Sequence, residues 1–424
     1  MNIKKRKRNF YVFWGIMMAL MLHLTLLVCA SPGQEVKQQS GKTPYRVPHV
    51  KLKAHIDGVL DDEIWQEALK LELKYEVNPG ENIEALVKTE AFFAYTRQYL
   101  YIAFRAYDPD PSAIRANISE RDKVVRNDFV GVVLDTFNDS RNSYSFLCNP
   151  YGVQSDYIDS IDGGNANWDA IWYSAGKITA EGYNVEIAIP FSSIRFQRIK
   201  GDQIWGVDAV RVYPRNSSRL LGLFPRDRNN NCYMCQAEKL IGFSGISREK
   251  NIEIDPTISG HSTQQRESFP NGKFEKKDSK VEPGVTAHWS FTPNLTLSAA
   301  ANPDFSNIEA DVAQLDINKQ FALFYPEKRP FFLEGADIFA TRYNIVYTRS
   351  LADPIGGIKI TGKEGPHALG FFSVYDNITN LLIPGSQSST WTALDCKTFG
   401  SALRYRRDIG KASNIGMVAS DREG

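Results

Sequence analysis

The sequence predicts an all-β chain: an antiparallel β-sandwich followed by an incomplete antiparallel β-barrel. Three observations predict it. Short apolar-alternating runs recur between turn signals from Val87 to Tyr213, with no strand–helix–strand period. Beyond residue 248 the alternating runs approach the length of membrane strands. Aromatic residues make up 12% of the chain, including 19 Tyr and 24 Phe, a bias that suits sheets better than helical bundles. The 424 residues suggest more than one domain. With 50 Lys+Arg against 49 Asp+Glu there is no basic excess, so nucleic acid is not an expected partner. Five Cys are too few for a disulfide-built scaffold.

Residues 1–30 read as a signal peptide. Lys4, Lys5, Arg6, Lys7 and Arg8 precede an apolar run from Phe10 to Ala30, and Val28 and Ala30 place a cleavage site after Ala30. An uncleaved anchor is the alternative, because the run approaches the ~20 residues that span a bilayer. Residues 31–48, rich in Ser, Gly, Gln, Lys and Pro, read as a linker.

The sandwich is expected over 49–247. Asp57-Gly58 marks a turn, and Asp61, Asp62 and Glu63 favour a helix start. Ile64, Trp65, Ala68 and Leu69 then share one helix face, with Trp65 as a packed plug. Strands are expected at Val87–Tyr95, Leu100–Tyr107, Phe129–Thr136, Ser143–Asn149, Ile171–Thr179, Tyr183–Ile189 and Trp205–Tyr213. Glu181-Gly182 is a two-residue hairpin signal.

The runs "IDGVLDDEIWQEA", "DFVGVVLDTFND", "WDAIWYSAGKITAEGYNVEIAIPFSSIRF" and "WGVDAVRVYPR" resemble the carbohydrate-binding family 9-like domain. The resemblance implies a β-sandwich and, more weakly, sugar binding. In sugar-binding members two Trp side chains sandwich a sugar at a chain end. Here Val125 stands at the first Trp position, Gly131 at an acidic one and Leu147 at a basic one, and the second Trp falls near Cys235. The scaffold is kept and the binding set is not.

A second stacking platform is offered by Trp168 and Trp172, four residues apart beside Asp156, Asp159 and Asp162. The alternative is that both rings close the sandwich edge. The three aspartates could supply oxygens to Ca²⁺, but their spacing matches no dedicated loop, and turn chemistry is the plainer role. Cys232 and Cys235 form a lone C-x-x-C without the second pair zinc would need. A small disulfide or idle thiols fit better than redox chemistry. No metal or cofactor is expected, and no catalytic residue stands out.

Residues 248–424 read as part of an outer-membrane β-barrel. Candidate strands are Ile252–His261, Gly284–Phe291, Leu295–Ala301, Gly356–Gly362, Ala368–Tyr375, Gly400–Arg406 and Ser413–Ser420; a soluble second sheet is the alternative. A charged insertion, 302–339, places Asp304, Glu309, Asp311, Glu327, Lys328, Arg329 and Glu334 beside Phe331-Phe332. It reads as an ion-paired connector or as a plug folded into a polar lumen. The run "NPDFSNIEADVAQLDINKQFALFYPEKRPFFLEGADIF", with "SGHSTQQR", "GGIKITGK" and "LRYRRDIG", resembles bacterial proteins in which the family 9-like domain precedes a barrel domain of unknown function. About seven strands fall short of the eight a single-chain barrel needs. A fragmentary reading frame is therefore expected.

The expected function is an exported, non-catalytic carbohydrate-binding-like module tethered to an outer-membrane barrel, serving glycan binding or uptake. Its partners are a carbohydrate and membrane lipid. The alternatives are O-glycosyl hydrolysis in carbohydrate catabolism, for which no carboxylate pair is evident, and a purely structural barrel-associated domain.

Overall fold

The computed structural model describes residues 43–160, 168–197, 199, 201–246, 252–268, 271–292, 294–303, 327–341, 343, 345–383, 390–394, 396–410 and 413–424. The expected leader, most of the linker, Asp162, and Asp304, Glu309 and Asp311 lie outside the described residues.

The sandwich is built from β1 (Tyr45–Arg46), β2 (Leu69–Glu72), β3 (Tyr75–Asn78), β4 (Ile83–Glu84), β5 (Thr89–Tyr95), β6 (Tyr99–Tyr107), β7 (Phe129–Asp135), β8 (Asn142–Cys148), β9 (Gln154–Ser160), β10 (Tyr173–Thr179), β11 (Gly182–Pro190), β12 (Gln203–Pro214), β13 (Ser218–Gly222) and β14 (Glu238–Gly242). One sheet runs β4-β3-β13-β12-β7-β8-β9, with β14 also on β12 and β1 on β14; the other runs β10-β11-β6-β5-β2. Between them lie Phe93, Ile102 and Phe104 from one side and Val130, Val132, Phe146, Trp205 and Val207 from the other. These are the inward members of period-2 runs, so burial of one face fixes their register. The β10–β11 hairpin turns at Gly182, whose φ of +142° and close approach to the Ala106 carbonyl leave no room for a Cβ.

Two expectations are corrected here. Residues 45–48 belong to the sandwich: β1 pairs with Leu240 and Ile241, and Val47 is buried in the core, so backbone pairing and apolar burial hold this stretch. The helix is a single turn, Ile64–Glu67. Ala68 is already extended and Leu69 opens β2, because pairing with β5 outweighs helical continuation. Ile64 and Trp65 still cap the outer face of the smaller sheet against Phe92, Tyr101 and Ala188. Trp65 Nε1 donates to Glu186 Oε1 at 2.8 Å, and the Asp57 and Gly58 amides donate to Glu186 Oε2.

The second sheet is a meander of β15 (Ile252–Arg266), β16 (Phe274–Thr292), β17 (Leu295–Ala301), β18 (Pro354–Glu364), β19 (His367–Asp376), then, beyond the hairpin β20 (Thr379–Ile383) and β21 (Thr390–Leu394), β22 (Thr398–Ile409) and β23 (Ser413–Glu423). It is open: among the described residues β15 and β23 do not pair with each other. Its register sorts the side chains by face. One cross-strand row reads Ile252, Trp289, Leu297, Ile360, Phe371, Leu403, Ala419. The neighbouring row on the other face reads Glu253, His288, Ser298, Lys359, Phe372, Ala402, Ser420. On the first face Ile254 is 62% exposed and Ile358 43%, while Leu369, Phe371 and Leu403 form a buried cluster further along; on the second, Lys359 is 1% exposed and Thr361 0%. This reverses the arrangement of a water-soluble sheet, in which apolar side chains are covered and polar ones are wet.

The described part of the insertion covers the polar face. Phe331, Phe332 and Phe339 pack on Phe372 and Val374. Lys359 Nζ donates to the Phe331 and Glu334 carbonyls, and Glu334 accepts from Ser298 and pairs with His288 at 3.0 Å. The sandwich reaches the same face. Asp139 pairs with Lys363, Arg141 donates to the Ser413 carbonyl, and Arg195 donates to Thr361 Oγ1.

Candidate functional site

Trp168 and Trp172 are not stacked on a helix. They follow β9 in irregular backbone that leads into β10. Trp172 is 4% exposed and meets Phe146 edge-on at 5.4 Å; Trp168 is half-buried, with Tyr144 at 5.0 Å and Phe146 at 5.9 Å. Both rings close the sandwich edge, so their faces are occupied by the core. Period-2 alternation on β9 separates the aspartates: Asp156 is buried and Asp159 exposed.

Asp156 is held by Arg121, which the sequence reading missed. Arg121 Nε donates to Asp156 Oδ1 at 3.0 Å, its Nη1 to Gln154 Oε1 at 2.6 Å and its Nη2 to the Ala170 carbonyl at 2.8 Å. Asp169 pairs with the same guanidinium at 2.5 Å, and the Ala170 amide donates to Asp156 Oδ2 at 2.7 Å. The only signal in the sequence was that a buried carboxylate needs a cation, and 35 residues separate the two. The edge is thus a closed structural knot, and Asp156 has little lone-pair capacity left for a cation.

Burial pushes the Asp156 carboxyl up to about 6, against the opposing pull of Arg121. The folded chain therefore holds this proton more tightly than the unfolded one. The stabilisation is complete below about pH 4 and is lost as pH rises through about 6. Asp156→Asn should flatten this segment of the stability profile, removing a change on the order of 2–3 kcal/mol. Urea unfolding at stepped pH reads it; an unaltered slope would place the titration elsewhere.

The family's binding positions lie on the outer face of the larger sheet. A Cβ at Gly131 would stand 2.5 Å from Leu147 Cδ2 and closer still to the Phe146 carbonyl oxygen, so no acidic side chain fits there. Leu147 instead packs with Val124, Phe129 and Val210, edged by Tyr157, Val212 and Leu220. Val125 lies in the 3₁₀ turn Val124–Arg126. The loop expected near Cys235 is closed by a Cys232–Cys235 disulfide and carries an aromatic, Tyr233. That ring stacks on Phe224 at 6.1 Å, lies under the Arg226 guanidinium at 4.5 Å, and donates its hydroxyl to Asp208 at 2.7 Å. Asp208 also accepts from Arg226 and from the Leu223 amide. The face can offer an apolar floor edged by Tyr157 to a sugar ring, but not a two-Trp clamp.

A different part of the sandwich is open. A cleft of about 770 Å³ runs between the 49–53 segment and the Thr96–Tyr99 turn, lined by His49, Lys51, Lys53, Arg97, Gln98 and Tyr99 among others. Its walls are fixed: the Val50 amide donates to the Tyr95 carbonyl, and Thr96 Oγ1 accepts from the Gln98 and Tyr99 amides. Tyr99 lies 5.8 Å from Tyr101 and 6.4 Å from Tyr173, the last of which is half exposed.

Comparison with known proteins agrees with this architecture. Residues 56–214 match the model of the carbohydrate family 9 binding domain-like family, and residues 256–364 match a domain of unknown function. An endo-1,4-beta-xylanase C of Paenibacillus barcinonensis is 29% identical over 147 residues, which is 34% of this chain and 12% of that protein. A family 9 carbohydrate-binding module from Caldicellulosiruptor kristjanssonii, solved with cellotriose, is 17% identical, with 47% of this chain and 92% of that one covered at a TM-score of 0.36. A putative carbohydrate-binding protein from Bacteroides uniformis is 14% identical, with 48% and 99% covered at a TM-score of 0.39.

Proposed function

We propose that this chain is an exported glycan-binding module whose sandwich rests on the lumen side of an outer-membrane β-barrel wall. The observation that carries the membrane part is the reversed polarity of the second sheet. Its outward rows are aliphatic and aromatic, while its inward rows hold His288, Ser298, Lys359, Thr361 and Lys363 under the insertion and the sandwich. A lipid-facing wall with a filled polar lumen has this pattern. In this reading the sandwich contributes recognition, on the support of its family 9-like match.

Handling of glycans rests on the family 9-like domain. The test is a glycan array probed with the full chain in detergent, alongside outer-membrane fractionation. Saturable binding of at least one oligosaccharide and recovery in the outer-membrane fraction are expected. Absence of binding to every glycan would leave only a structural role for the sandwich. In the same assay Trp172→Ala should lower stability by about 3–5 kcal/mol, the cost of a cavity in a packed core, while affinity per folded molecule holds. A selective loss of affinity would restore the Trp168–Trp172 platform.

A further inference from the structure

We infer that the cleft between residues 49–53 and the Thr96–Tyr99 turn is a second glycan subsite, built for sugars that carry carboxylates. The inference rests on the glycan-binding reading above and names the class of sugar for a face that the family's positions do not occupy.

The charge is the first argument. The whole chain is almost neutral, yet Lys51, Lys53 and Arg97 line one cleft that no Asp or Glu among the described residues lines. None of the three has an ion-pair partner among the described residues. Elsewhere the sandwich pairs its arginines closely: Arg215 with Asp108 and Asp128, Arg219 with Glu76, Arg226 with Asp208. Cations left unpaired in a concave site focus a positive field on whatever enters.

Shape and neutral chemistry form the second argument. The volume suits two or three sugar rings. Gln98 and Ser192 offer polar groups to hydroxyls. Tyr99, with the half-exposed Tyr173 beyond it at 6.4 Å, offers an aromatic face to the apolar side of a pyranose. A bare phosphate would need the cations but not the tyrosines. The cleft is also preorganised: its turn is tied by Thr96, and the Gln98 carbonyl accepts from the Phe191 amide across the sheet.

The experiment is calorimetric titration of the full chain in neutral detergent with three probes: trigalacturonate, cellotriose and dihexanoyl phosphatidylglycerol. Trigalacturonate should bind, with affinity falling as salt is raised. The triple variant Lys51→Gln, Lys53→Gln, Arg97→Gln should weaken it about tenfold or more, since each exposed contact contributes a fraction of a kcal/mol to about one. All three side chains are exposed, so the variant should fold; an unchanged melting curve checks this. A fall in trigalacturonate affinity with cellotriose affinity unmoved supports the subsite. Equal affinity for charged and neutral sugars, untouched by the variant, overturns it while leaving glycan binding intact. Binding of the lipid alone, lost in the variant, overturns it in favour of a headgroup site. No binding of either sugar removes the subsite and the glycan reading together.

Discussion

Arg211→Met should destabilise the sandwich by about 3–5 kcal/mol, the cost of removing one partner from a buried polar network. Arg211 points from β12 into the space between the sheets and is fully buried. Its Nη1 donates to Thr89 Oγ1 at 3.0 Å and to the Tyr107 carbonyl at 2.8 Å, both on the opposite sheet. Its Nη2 lies 3.5 Å from Asp108 Oδ2, and the guanidinium sits over the rings of Tyr183 and Tyr213 at 5.2 Å each. Methionine fills much of the volume but donates to none of these groups, so acceptors stay buried without partners. Arg215 cannot compensate, because it is already shared between Asp108 and Asp128. Urea unfolding followed by tryptophan fluorescence measures the change. A loss under about 1 kcal/mol would mean that water enters the site and that the clamp between sheets is not what closes this end.

The second large effect separates a membrane wall from a soluble sheet. Ile358 is at the centre of β18, on the apolar face, 43% exposed. Facing lipid at mid-depth, Ile358→Arg should cost about 2–4 kcal/mol, which lowers the equilibrium constant for folding and insertion by roughly thirtyfold or more. Facing water, the same change should cost within about 0.5 kcal/mol. Thr286→Arg is the control: Thr286 lies on the polar face directly opposite Asp255, where a cation gains a partner. Folding into phosphatidylcholine vesicles, read by protease protection, should fail for the first variant and proceed for the second. Equal yields would remove the lipid-facing assignment.

Strands were legible wherever a run alternated and was long. β6, β7, β11, β17 and β19 fall within a residue or two of the expected ranges, because one covered face demands period-2 spacing over the whole run. β3, β13 and β14 were not anticipated. They are only four or five residues long, and they exist because β12 pairs with both β13 and β14. β16 extends ten residues further toward the N-terminus than expected, to Phe274, since Glu275 and Lys276 carry no apolar alternation and are ordered by their pairing with Gln265 and Gln264 of β15. At the candidate site, the departure at Gly131 and Leu147 could be read from the resemblance, but not that Leu147 occupies the space above Gly131. Arg121, Tyr233 and the Lys51–Lys53–Arg97 cleft carried no motif. Arg121 meets Asp156 from 35 residues away and Tyr233 meets Asp208 from 25, and the cleft joins the 49–53 segment to a turn at Thr96–Tyr99, so only folding assembles each of them.

By itself the sequence determined the class of fold, the order of the two sheets and the alternation that gives each strand its faces, since these depend on spacing along the chain. Only the tertiary structure decided which face of each sheet is covered and by what. That is why Trp168 and Trp172 became core, why Asp156 met Arg121, and why three cations without an ion-pair partner among the described residues share a cleft. Burial and electrostatics depend on distance in space, and distance in space is set by pairing between segments that are remote in sequence.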